Sequence, residues 1–148
     1  MALLQCHFDY AVSSWYMGLS KGNKSKLQIA QNKIVRFILN LHPRSSIGQN
    51  ELDRLGMLDT SQRAKQMILN HVFNIKNMQA PSYMYQNFTP IKHQYSTRGS
   101  KHNYQALRPF GVTSGNFNQN GIKLWNEFPT WIKLLMIKNC LKEKSKLI

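Results

Sequence analysis

Hydrolytic, metal-assisted and nucleophilic chemistry is mostly built from carboxylates, histidines and thiols, and this 148-residue chain has few of them, set far apart. Metal-assisted phosphoryl transfer needs carboxylates close enough to share divalent ions. Glu51 and Asp53 are the one near pair, and at a predicted helix start they complement the helix dipole. Asp9, in "FDY", has no neighbouring Asp and falls on a predicted helix, unlike the adjacent hairpin aspartates of a polymerase. His71 lies on an apolar stripe with no second ligand at helical spacing, so it is expected in the core rather than on a metal. Cys6 and Cys140 are too few and too distant for a disulfide framework or a CxxC zinc site. A reduced intracellular setting is expected, in nucleus or cytoplasm. No nucleophile elbow and no phosphate-cradling glycine loop is present. No metal, cofactor or small-molecule substrate is therefore expected.

The charge is informative instead. Lys and Arg number 20 against 6 acidic residues, a formal net charge of +14. No acid lies between Asp9 and Glu51, and none between Asp59 and Glu127. Such a chain repels itself when compact unless a polyanion screens it, which makes nucleic acid the first partner to consider. In the stretch "GSKHNYQALRPFGVTSGNFNQNGIKLWNEFP", the first acid is Glu127. Here and just upstream, Lys92, His93, Arg98, Lys101, His102 and Arg108 are interleaved with aromatics. Tyr83, Tyr85, Phe88, Tyr95, Tyr104 and Phe110 could stack on unpaired bases while the cations hold phosphates. The alternative is that these rings fill space between helices and only the charges are solvated.

The elements that position these residues read as mainly α. Leu4, Phe8, Ala11, Val12, Trp15 and Leu19 share one helical stripe, ended by Gly18 and Gly22. After a basic turn, "SKGNKSK", Leu27, Ala30, Ile34, Phe37, Ile38 and Leu41 form a second stripe, with Lys33 and Arg36 outside it and Pro43 as its stop. The two are expected to pair as a helical hairpin. A short helix around Leu52 and Leu55 should end at Gly56. Asp59 and Gln62 resemble a capping box opening a helix with Ala64, Met67, Ile68, His71, Val72 and Ile75 inward. Residues 81–120 are punctuated by Pro and Gly and read as an irregular basic segment. One turn over Gly121 to Asn126 should carry Trp125. A C-terminal helix should start at Pro129, with Trp131, Leu134, Leu135, Ile137 and Leu141 inward and Lys133 among the lysines outside. The expected organisation is a helical region over 1–80, the irregular segment over 81–120 and a helical tail over 121–148, one incomplete domain in all. The first residues lack a signal-peptide pattern, and no run approaches the roughly 20 apolar residues of a membrane span.

Several blocks, in order, resemble one family. "HFDYAVSSWYMGLSKGNKSKLQIAQNKIVRFILNL", "IGQNELDRLGML", "RAKQMILNHVFNIKNMQAPSYM", "YSTRGS" and "GIKLWNEFPTWIK" together resemble the C-terminal portion of reverse transcriptases of non-LTR, LINE-type, jockey-like retrotransposons. The resemblance implies a thumb and post-thumb region that follows the catalytic palm. The palm's metal-binding aspartates would lie upstream of Met1, so no catalytic residue carries over and the chain is not expected to polymerise on its own. The resemblance also implies RNA or an RNA/DNA duplex as partner, held by its backbone. Lys24, Lys26, Lys33 and Arg36 resemble thumb residues facing phosphates, and Arg98, Lys101 and Arg108 would extend that track. Two further expectations remain. One is a non-catalytic domesticated module docking a protein partner through exposed apolar helix faces anchored by Trp15, Trp125 and Trp131. The other is a basic amphipathic C-terminal helix lying on an anionic membrane.

Overall fold

A computed structural model of the chain describes residues 2–91, 102–107 and 116–134. The protein is mainly α-helical, and the described residues contain no strand beyond an isolated antiparallel bridge between Pro90 and Tyr104. The helices are α1 (Ala2–Asp9), α2 (Val12–Trp15), α3 (Lys21–Ile38), α4 (Gln49–Arg54), α5 (Thr60–Lys76), α6 (Ser82–Tyr85) and α7 (Phe117–Glu127). A 3-10 turn over Tyr16–Gly18 follows α2, and the chain is helical again over 130–134. Two compact units divide the chain, one of Met1–Ile68 with Ser114–Phe117 and the other of Leu69–Thr113 with Asn118–Ile148.

In the first unit, the expected single helix through Leu4 and Leu19 is broken. Ala11 takes a left-handed conformation, φ +48°, which separates α1 from α2. Such a conformation costs an L-residue about 1–2 kcal/mol. The break frees the Tyr10 carbonyl, which accepts from Trp15 Nε1 at 2.8 Å. Val12, Tyr16 and Ala64 form the buried core here, with Trp15, Met17, Leu19, Leu27 and Met67 packed around them.

Helix α3 begins six residues before the expected stripe. Ser20 caps it, its hydroxyl accepting from Asn23 N at 3.3 Å, so the supposed basic turn is the first part of the helix and Gly22 lies inside it. Its end comes ahead of Pro43. Asn40 takes φ +50°, Asn40 N bonds Phe37 O at 3.3 Å and Leu41 N bonds Arg36 O at 2.9 Å, a Schellman motif. The same device ends α4 and α5. Gly56, at φ +63°, closes α4 as expected, and Met78, at φ +57°, closes α5. The Asp59 carboxylate accepts from Gln62 N at 2.6 Å and opens α5. Ala64, Ile68, Val72 and Ile75 are buried along α5, as the stripe predicts, but His71 is exposed. It stands beside Val72 on the edge of the stripe.

The second unit has its core at Trp125, Ile122, Tyr104, Phe88, Val72 and Ile75. Helix α7 runs for 11 residues rather than one turn. Asn126 on it binds the backbone of Tyr104 twice, accepting from Tyr104 N at 3.0 Å and donating to Tyr104 O at 2.8 Å. The side-chain amide thus completes hydrogen bonds that a neighbouring strand would otherwise make. Beyond Pro129 the expected polarity is reversed. Trp131 is 67% exposed and Leu134 is exposed, while Lys133 is 1% exposed. Lys133 is turned inward because its ammonium finds acceptors there, Asn103 Oδ1 at 2.8 Å and Asn126 O at 3.3 Å. Leu135, Ile137 and Leu141 lie outside the described residues.

Candidate nucleic-acid interface

Helix α3 carries four of the seven expected contact residues, and its rotation about its own axis decides what each can reach. Its sequence has no acidic residue. The face turned inward matches the predicted apolar stripe only in part: Leu27, Ala30 and Ile34 are half-buried, but the most buried positions lie beside them. It runs through Gln28, Gln31 and Val35, of which Val35 is fully buried and Gln31 is 3% exposed. Polar contacts account for this. Gln31 Nε2 donates to Leu58 O at 2.7 Å. Gln28 Oε1 accepts from Thr60 N at 3.0 Å and from Thr60 Oγ1 at 2.8 Å, and Gln28 Nε2 donates to Asn32 Oδ1 at 3.0 Å. The two glutamines tie α3 to the lead-in of α5.

That rotation turns Lys26, Ile29, Lys33 and Phe37 outward together, at spacings of three or four residues that place them on one helix face. All four are exposed, Ile29 by 51% and Phe37 by 86%. Phe37 and Ile38 were expected inside, and both lie at the surface. The other two cations of α3 are engaged by the protein. Lys24 Nζ sits 5.3 Å from the centre of the Tyr16 ring, and Arg36 Nε donates to Ser45 O at 2.8 Å. The structure therefore brings Lys26 and Lys33 together as free ammoniums on one face. Arg98, Lys101 and Arg108 lie outside the described residues, as do Tyr95 and Phe110.

Of the four remaining aromatics, Phe88 and Tyr104 are buried and meet edge to face at 5.4 Å, so they fill the interior of their unit, Tyr85 is half-buried with its hydroxyl donating to Ala80 O, and Tyr83 is 68% exposed. Among the three tryptophans, Trp125 is fully buried and donates from Nε1 to His102 O at 2.8 Å, which removes it as a docking anchor. Trp15 is half-buried, and Trp131 alone is largely open.

Two lysines flank Trp125, an arrangement with no sequence signal. Lys76 Nζ lies 5.1 Å and Lys133 Nζ 5.8 Å from the ring centre. Lys76 Nζ is buried without a hydrogen-bond partner. Burial holds its pKa below the ordinary lysine value, and Lys133 is lowered by burial and by the Lys76 charge. Burial also pushes the Tyr104 phenol up to about 12. A cavity of about 290 Å³ beside them is walled by Ile75, Lys76, Tyr85, Phe88, His102 and Tyr104, among others, with no carboxylate among the described lining residues.

Asp9 is structural. Arg63 grips it in a bidentate pair, Nε to Oδ1 at 3.0 Å and Nη2 to Oδ2 at 2.7 Å, which with a Gln5 contact holds the carboxyl below its usual range. Among the described residues no three His, Cys, Asp or Glu side chains gather as a metal site, and no helix is long and apolar enough to cross a membrane. No family model matches the chain, and neither does any curated protein or solved structure.

Proposed function

We propose that the chain is a nucleic-acid-binding segment that holds a phosphate backbone on the outer face of α3, in keeping with its resemblance to the thumb and post-thumb portion of a non-LTR reverse transcriptase. One observation carries this reading: Lys26 and Lys33 stand free on one face of an 18-residue helix without a single acid, in a chain of net charge +14. Ammoniums there meet phosphate oxygens through charge-assisted hydrogen bonds and displace condensed counterions, which favours binding without reading sequence. The chain acts as a binder and performs no polymerisation by itself.

Affinity for a short RNA hairpin, followed against salt, tests this. Wild type should weaken steeply as salt rises, and Lys26→Gln/Lys33→Gln should flatten the logarithmic slope by about 1.5, the share of two phosphate contacts. A wild-type slope near zero refutes the electrostatic basis. Primer extension by the purified chain with divalent metal would refute the non-catalytic part. A second reading, docking on a protein partner, is favoured by the open Trp131 and Leu134.

A further inference from the structure

Phe37 is a large ring, 86% exposed, in the last turn of α3. A lone exposed apolar residue is ordinary. This one shares its face with Ile29, 51% exposed, and with the free Lys26 and Lys33. Lys26 to Phe37 spans about 16 Å of helix axis at the usual rise, the length of up to about five stacked nucleotides of one strand. We propose that this face binds single-stranded nucleic acid, with one unpaired base stacked on the Phe37 ring and the adjoining phosphates on Lys33 and Lys26. The assignment rests on the phosphate-binding reading of α3 and adds to it the strand class and a stacking residue.

Charge selects this occupant. The core of a protein interface is depleted in lysine, and a second copy of the same face would set ammonium against ammonium. A duplex offers phosphates but no base face, so it leaves Phe37 and Ile29 facing water. A single strand offers both groups, and every base has a π face for the ring. Lys26 lies in the N-terminal half of α3, Lys33 one turn before the ring, and Phe37 in the last turn. Arg36, the residue before Phe37, is anchored through Nε to Ser45 O, which holds that turn in place.

The test is fluorescence-anisotropy binding of the full chain to a labelled oligouridylate of about 12 nucleotides, within the site sizes of single-strand binders, and to a blunt RNA duplex. Phe37→Ala should weaken oligouridylate binding roughly 5- to 100-fold, the range of one base–aromatic stack, and change duplex binding less than about twofold. Phe37→Tyr should restore the loss and Phe37→Leu should not, since leucine keeps apolar bulk without a π face. At 86% exposure none of these changes disturbs the fold. Equal affinity of wild type and Phe37→Ala for oligouridylate overturns the stacking role, as does an equal loss on both nucleic acids. A change in self-association with no change in oligonucleotide binding overturns it in favour of a protein contact. If stacking fails while Lys26→Gln/Lys33→Gln still flattens the salt slope, phosphate binding by α3 stands alone. If wild type binds neither nucleic acid, both fall.

Discussion

Replacing Lys76 by Met should make the protein more stable. The Lys76 ammonium is buried, has no hydrogen-bond partner and faces the Trp125 ring at 5.1 Å, with the Lys133 ammonium on the same ring at 5.8 Å. A buried polar group left unsatisfied costs about 1–3 kcal/mol, more when charged. The cation–π contact returns about 0.5–1 kcal/mol, up to about 2 when desolvated. Met keeps an unbranched, adaptable stem against the indole, so little packing is lost. Net stabilisation of about 1 kcal/mol at neutral pH follows, consistent with buried ionic groups that apolar residues replace at no loss. Lys133→Met should act the opposite way, by about 1–2 kcal/mol, because Lys133 donates to Asn103 Oδ1 and Asn126 O and its loss strands both acceptors. Proton linkage supplies a second readout. The folded pKa of Lys76 lies below the unfolded value of 10.5, so the unfolded chain binds more protons between the two and stability rises with pH there. The penalty is full below the folded pKa and gone near 10.5, so wild type and Lys76→Met should converge as pH approaches that value. Urea unfolding followed by tryptophan fluorescence measures both. A Lys76→Met protein less stable than wild type at neutral pH, or a gap that ignores pH, would show that the ammonium is solvated and the balance above is wrong.

Asp9→Asn should cost about 1 kcal/mol at neutral pH, since the Arg63 pair is bidentate but its side chains stay 17% and 33% exposed and are screened. Because the folded Asp9 pKa is depressed below 3.8, its contribution is full above that value and is lost as pH falls through the folded pKa. The wild-type advantage should shrink on acidification, which thermal melts across pH would record. Asn126→Ala should lower stability by about 1–3 kcal/mol by unpairing both backbone groups of Tyr104. Asn126→Asp should also destabilise, because a carboxylate can accept from Tyr104 N but cannot donate to Tyr104 O, and a urea midpoint shift at constant slope would report either.

Where a signal was local, the sequence carried it. The α5 stripe of Ala64, Ile68, Val72 and Ile75, the Asp59 cap and the left-handed Gly56 all depend on residues within a turn or two of one another, and all appear as expected. The inward turn of Lys133 was hidden because its acceptors are Asn103, 30 residues away, and Asn126, while Trp131 and Leu134 present an apolar stripe that no described partner uses. The early start of α3 was hidden by Gly22, which reads as a stop but lies inside the helix at a cost of about 1 kcal/mol.

The candidate interface was half legible for a related reason. Charge marked α3 correctly as basic, but hydrophobic periodicity placed Phe37 and Ile38 in the core, whereas the stripe is half-buried only through Leu27, Ala30 and Ile34. Periodicity counts apolar side chains and gives no weight to an amide that can find backbone acceptors and donors. Gln31 with Leu58 O and Gln28 with Thr60 supply three such bonds between α3 and the start of α5. Each bond contributes about 0.5–1.5 kcal/mol net, and Gln31 Oε1 stays buried without a partner, so the three bonds about balance the roughly 1.5–3 kcal/mol of transfer free energy that Phe37 loses by facing out. The polar lock that hides two glutamines thus also sets an aromatic ring between the exposed lysines and the end of the helix. The exposure of Phe37 is a consequence of how α3 is fastened, and the face it creates is fixed rather than incidental.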